Sequence, residues 1–202
     1  MEKAAGDCRL FLWFGELARC RLPVQYPLFM SYRNVPPPPD PAMGFKAQPL
    51  RPRMAPRSSF SFALVASQYN LGFTQPMLDH ACRELTLLEQ GARTSIYWAP
   101  GAFELPVLVK LLTQHGSHDA VLAFGVLLQG ETAHAQLVAA SVTNALQNIA
   151  VDSGVPVIDA VLLLDDPAQA HVRCVDPEKN RGIEAARAAV AVARTAREIL
   201  SH

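Results

Sequence analysis

The chain has 202 residues, half of them apolar and 18% charged, which excludes a disordered polymer and allows one well-buried core. Its 18 basic and 18 acidic residues balance to a formal net charge of zero, so bulk attraction to nucleic acid or to a membrane surface is not expected. The longest apolar run near the start, "LFLWFGEL", is interrupted by Gly15 and Glu16 and is too short for a membrane span or a good signal peptide.

Residues 1–57 hold ten of the sixteen prolines, including "PPPPDP", and nine Lys/Arg against four Asp/Glu. Proline fixes φ and lacks an N–H, so this part reads as a loosely attached, extended arm. A translation start further along, at Met30, Met43 or Met54, is the other reading of the same segment. Residues 58–202 form the expected folded domain. The four cysteines, Cys8, Cys20, Cys82 and Cys174, show no two-to-four-residue spacing. They read as reduced thiols of a cytoplasmic protein, not as metal or redox ligands.

From Phe60 onward, short apolar runs alternate with helical patterns. "FSFALVAS" is the first strand. Thr74 is expected to cap the helix after it, with Pro76 in its first turn and Met77, Ala81, Leu85 and Leu88 as its buried stripe; Gly91 ends it. "TSIYWA" is the second strand, and "PGAFELPVLVKLLTQHG" turns into a helix closed by Gly116. "AVLAFGVLL" is the third strand. It is followed by "THAQLVAASVTNALQNIAVDSG", with Val138, Val142, Ala145 and Ile149 on one face. "VPVIDAVLLL" is the fourth strand, "DPAQAHVRC" a short helix, and "NRGIEAARAAVAVARTAREIL" a long final one. Continuous apolar strands separated by helices imply an α/β fold whose parallel sheet is covered on both faces, with right-handed crossovers.

Ligands of such sheets sit at the carboxyl ends of the strands. The polar or aromatic residues there are Tyr69 and Asn70; Gly101, Ala102, Phe103 and Glu104; and Gly130, Glu131, Thr132 and His134. Arg173 stands near the end of the short helix. Gly130 lets the backbone turn and approach a ligand, and the amides after it open a helix, which suits an anion, phosphate above all. Thr132 adds a hydroxyl or simply caps that helix. His134 beside a bound anion suits proton transfer, and equally reads as a surface residue. Glu104 either accepts hydrogen bonds from a ligand or serves the helix dipole. Tyr69 either stacks on a planar ring or packs over the strand end. Arg173 pairs with phosphate or decorates a solvated face. A flavodoxin-like or receiver domain needs a phosphate loop or an acidic cluster after the first strand, and "ASQYNLGF" supplies neither.

Taken in order, "YN", "APGAFELP", "GETAH", "GVPVIDAVLLL" and "NRGIEAA" resemble the 6,7-dimethyl-8-ribityllumazine synthase family over about residues 60–200. The resemblance implies a three-layer αβα subunit with a four-stranded parallel sheet. It implies condensation of 5-amino-6-(D-ribitylamino)uracil with 3,4-dihydroxy-2-butanone 4-phosphate, without metal or organic cofactor. Tyr69 matches the aromatic that stacks on the pyrimidine, with Asn70 beside it. Ala102, Phe103 and Glu104 match the segment holding the ribitylamine substrate, and Val126, Leu127 and Leu128 the strand end whose backbone reads the pyrimidine. Gly130, Glu131 and Thr132 match the phosphate turn, His134 the proton-transfer residue, and Arg173 the arginine a neighbouring subunit offers to phosphate.

Three positions depart from the family: Asp159 replaces an aromatic of the donated pocket wall, Arg181 replaces a lysine, and Ala135 replaces the aromatic after the histidine. The resemblance further implies small-molecule substrates and a homo-oligomer, a pentamer or a 60-subunit icosahedral shell, with sites between subunits. Riboflavin synthase is a candidate partner. Residues 55–60 are expected to add a strand to a neighbour's sheet. The other functional reading is a weakly active paralogue that binds flavin or lumazine or builds a shell, motivated by Asp159.

Overall fold

The computed structural model describes residues 60–201. The N-terminal extension, Cys8 and Cys20, and residues 55–59 of the expected added strand lie outside them.

The order is β1 (Ser61–Ser67), α1 (Leu71–Leu88), β2 (Arg93–Ala99), α2 (Leu105–His115), β3 (Ala120–Leu128), α3 (His134–Ser153), β4 (Val157–Leu164), α4 (Pro167–Cys174) and α5 (Arg181–Leu200). The strands form one parallel four-stranded sheet in the order β2-β1-β3-β4. Successive side chains alternate between the sheet's faces, which splits the core in two. Phe62, Leu64, Leu122 and Phe124 pack with Met77, Leu85, Ala189 and Val190 of α1 and α5. Ala63, Val65, Val121 and Ala123 pack with Val109 of α2 and Val142 and Leu146 of α3. Each fully buried Leu or Phe contributes about 2 kcal/mol through its removal from water. The result is the expected three-layer αβα sandwich.

Several local expectations need correction. α1 starts at Leu71, not after Thr74: Asn70 precedes it in the left-handed region at φ 57°, a conformation asparagine tolerates. Thr74 is buried inside the first turn, and its hydroxyl donates back to the Asn70 carbonyl at 3.4 Å. Pro76 therefore falls in the second turn. Gly91 does adopt φ 86° after the helix, but Gly116 ends α2 in extended geometry, so no left-handed turn is needed there. α3 starts at His134, not Thr132. Its N-cap, Ala133, has no hydrogen-bonding side chain, and the Thr132 hydroxyl lies 3.5 Å from the His134 amide.

The last two helices carry side-chain caps that the sequence reading did not name. Asp166 accepts from Gln169 N at 2.8 Å, and Asn180 accepts from Gly182 N at 2.9 Å. Asn180 also donates to the Cys174 carbonyl at 2.7 Å, fixing the end of α4 to the start of α5.

The sheet is not covered on both faces throughout. β2 is an edge strand, and Ile96, Tyr97 and Trp98 are 46%, 41% and 38% exposed. Arg93 N donates to Phe60 O and Gln68 N to Ala99 O, so the backbone groups of odd-numbered β2 residues face β1. Those of Thr94, Ile96 and Trp98 face outward, without a partner among the described residues. The opposite edge is closed by side chains around Asp159 and Val161. On β4, Val161 N donates to the Asp159 carboxylate at 2.8 Å, and the Asp159 carbonyl accepts from Arg181 Nη2 at 2.8 Å.

Candidate functional site

The carboxyl ends of β1, β2 and β3 converge because loop backbones tie them together. Gln68 N donates to Ala99 O at 2.8 Å and Tyr69 N to Pro100 O at 3.2 Å. The Asn70 amide donates to the Val126 carbonyl at 2.8 Å, bridging from β1 across to β3. That bond occupies one lone pair of a carbonyl expected to read the pyrimidine and leaves the other. Tyr69 is 70% exposed and Phe103 62%, so both rings stand free over this edge. Ala102 is buried, Glu104 is the exposed residue before α2, and Leu127 and Leu128 are half-buried. Gly125 explains the tight approach of α2: a Cβ there would sit 3.3 Å from the Leu105 side chain and 3.4 Å from that of Ala102.

Residues 129–134 form the turn of greatest chemical interest. Gln129 N donates to Leu164 O at 2.8 Å, anchoring the turn to β4. The Gln129 side chain folds over it and donates to the carbonyls of Gly130 at 2.9 Å and Thr132 at 3.2 Å. Two of the turn's carbonyls are thus occupied, and the amides of residues 131–133 donate to no group among the described residues. Gln129 Oε1 is buried and has no hydrogen-bond partner among the described residues. Gly130 is not in the left-handed region, and a Cβ would meet nothing within 4 Å. Its contribution is open space in front of the amides, not an unusual turn. Glu131, Thr132 and His134 are exposed around that space. A helix start with free amides holds an anion, and the imidazole lies one residue further on.

Asp159, Arg173 and Arg181 form a second group, and none of their hydrogen-bond partners belongs to residues 129–134. The Asp159 carboxylate is satisfied within its own chain, by Thr143 Oγ1 at 2.9 Å and by Val161 N. Arg173 makes an end-on bidentate pair with Glu184, at 3.1 and 2.8 Å, and donates from Nη1 to Lys179 O at 2.9 Å. Those bonds use both Nη1 hydrogens and one Nη2 hydrogen. The side-on fork, Nε–H with the second Nη2–H, has no partner among the described residues and suits another oxyanion.

Burial pushes the Glu184 carboxyl up, but the hydrogen bonds and charge of Arg173, then of Arg181, outweigh it and hold the group below its ordinary value. The stability this supplies is complete above the ordinary glutamate range and drains as pH falls through the lowered value. The difference in melting temperature between wild type and Glu184→Gln is therefore expected to shrink on acidification below that range. A constant difference would contradict it.

Glu184, Gln129 and Thr143 are absent from the residues singled out in the sequence. The spacing of Arg181 and Glu184 on one helix was the only legible signal. Cys174 carries no chemistry here, since burial pushes its thiol up to about 11.

A family model described as 6,7-dimethyl-8-ribityllumazine synthase matches residues 59–197. A 6,7-dimethyl-8-ribityllumazine synthase of Coxiella burnetii (strain Dugway 5J108-111) is 34% identical over 143 residues, covering 70% of this chain and 95% of that protein. The chain belongs to the 6,7-dimethyl-8-ribityllumazine synthase family.

Membership makes the chain a transferase of riboflavin biosynthesis. Within this chain the two groups of residues have separate supports. The first is built on loops tied across three strands. The second hangs on α4, α5 and the closed edge of β4. Among the described residues no helix is long and apolar enough to cross a membrane, and no cluster of three His, Cys, Asp or Glu side chains is arranged to hold a metal ion.

Proposed function

We propose that the chain condenses 5-amino-6-(D-ribitylamino)uracil with 3,4-dihydroxy-2-butanone 4-phosphate, giving 6,7-dimethyl-8-ribityllumazine, inorganic phosphate and two waters. The observation that carries the reading is the 129–134 turn, with amides at 131–133 that have no partner among the described residues, open space at Gly130 and His134 next in the chain. In this reading the butanone phosphate rests on those amides. Tyr69 and Phe103 flank the pyrimidine, and Glu104 accepts from its ribityl hydroxyls. The primary amine attacks the ketone and water leaves to form an imine. Phosphate is then eliminated, and the ring closes with loss of the second water. Each stage needs protons moved at carbon, nitrogen or oxygen, and His134 is the group placed to move them.

Arg173 acts in this reading from a neighbouring subunit, since it is not joined to residues 129–134 in its own. Two features support an assembly. The open fork of Arg173 suits phosphate side-on. The unpartnered edge of β2, with Ile96, Tyr97 and Trp98 exposed, suits an added strand from another copy, for which residues 55–60 are the candidate. Asp159 no longer favours the paralogue reading, because its carboxylate is already hydrogen-bonded inside the subunit.

Purified protein incubated with both substrates is expected to produce lumazine absorbance well above the uncatalysed rate; none above background would end the reading. Arg173→Ala is expected to raise the KM for the butanone phosphate by about tenfold or more, with little change for the pyrimidine. Equal effects on both substrates would count against a phosphate role.

A further inference from the structure

Arg181 takes the place where the family resemblance puts a substrate-binding lysine, yet both ends of its guanidinium are engaged inside the subunit. Nη2 donates to the Asp159 carbonyl on the closed edge of β4 at 2.8 Å. Nη1 donates to Glu184 Oε2 at 3.2 Å, the same oxygen that accepts from Arg173 Nη2 at 2.8 Å. A continuous chain of hydrogen bonds therefore runs from a sheet carbonyl through Arg181 and Glu184 to Arg173. It joins β4, the start of α5 and the end of α4. A lysine brings all its donors to one nitrogen, whereas the planar fork of arginine spans two acceptors.

We propose that Arg181 and Glu184 are positioning residues that preset Arg173 for phosphate, and that Arg181 works through Glu184, not on the pyrimidine. This rests on the proposed phosphate role of Arg173. Three features carry it. The Glu184 carboxylate takes the end-on fork of Arg173, which fixes the guanidinium plane and turns the side-on fork outward. Lys179 O takes the remaining Nη1 hydrogen and stops rotation about that plane. Arg181 holds Glu184 from the other side and is itself held by backbone, which does not swing as a side chain does. All three side chains are only partly exposed, at 32%, 34% and 42% for Arg173, Arg181 and Glu184.

The sign of one substitution separates positioning from charge. Glu184 is an anion near a proposed phosphate site, so by charge alone Glu184→Gln would tighten phosphate binding. If the carboxylate positions Arg173, the same change weakens it. The test uses the full-length assembled protein, with inorganic phosphate affinity measured by calorimetry and KM measured for both substrates.

Glu184→Gln is expected to weaken phosphate about fivefold and to raise the KM for the butanone phosphate in step, with the pyrimidine KM unchanged. Arg181→Lys, which keeps the charge, is expected to follow the same pattern at about threefold. Tighter or unchanged phosphate binding in Glu184→Gln would overturn the proposal, as would a rise confined to the pyrimidine KM in Arg181→Lys. Arg173→Ala in the same series tells the two levels apart. If it leaves phosphate affinity unchanged, the phosphate role of Arg173 falls and the clamp with it. If it weakens phosphate while Glu184→Gln does not, the clamp alone falls.

Discussion

His134→Ala is expected to lower kcat by about 100-fold and to leave the particle size and melting temperature as they are. The two halves of that expectation have different physical grounds. His134 is the first residue of α3, exposed, and outside both core clusters. Alanine there is a better helix former, so the fold loses nothing by the change. The chemistry loses the imidazole that follows the amides of residues 131–133 in the chain. Binding should persist, because the amides and Arg173 remain, and so the KM for the butanone phosphate should move much less than kcat. Lumazine formation at saturating substrates, with light scattering on the same samples, reads both quantities. An unchanged kcat would remove His134 from the mechanism, while a dissociated particle would show that its role is structural.

The largest effect on stability is expected from Gly182→Ala. Gly182 is in the first turn of α5 where that helix crosses α1, and an added Cβ would overlap the Met77 carbonyl oxygen. It would also come within 2.9 Å of Asn180 Oδ1, the oxygen that caps α5. Neither neighbour is the free end of a flexible side chain, so the two helices must separate. The cost is about 3 kcal/mol, or roughly 10 °C in Tm for a domain of this size. Arg181 is the adjacent residue, so phosphate affinity should fall as well. Gly72→Ala is the matched control: it lies within α1, a Cβ there meets nothing within 4 Å, and it should be neutral or stabilising by up to about 1 kcal/mol. Similar melting temperatures for the two variants would refute the close-approach account.

The fold was legible in the sequence wherever the signal was local. β3 runs Ala120–Leu128, the same nine residues as its apolar run, because a central strand is apolar on both faces. The caps at Asp166 and Asn180 are equally local, each bonding an amide two or three residues away, yet they were not named in the sequence. The start of α1 was not legible, because Asn70 enters it through a left-handed conformation that an N-cap rule at Thr74 does not describe. The exposure of β2 was hidden too. "TSIYWA" reads the same at the centre of a sheet or at its edge, and only the order β2-β1-β3-β4 puts it outside.

The site divides along the same line. Asn70, Phe103 and His134 follow the ends of strands and were singled out by that rule. The Val126 carbonyl bonded by Asn70 lies 56 residues further along the chain, and no spacing reveals it. The Asp159 carboxylate bonds Thr143, sixteen residues earlier, a link across β4 and α3 that no local spacing reveals. Glu184 joins residues three and eleven positions before it, and the longer link needs α4 and α5 to be folded against each other.

A crystal structure of the assembled protein soaked with inorganic phosphate tests the account most directly. Phosphate is expected on the amides of residues 131–133, with the His134 ring beside it and the side-on fork of a neighbouring subunit's Arg173 on its far oxygens. Phosphate bound elsewhere while that turn stays empty, or an Arg173 fork that meets no copy's turn, would contradict it.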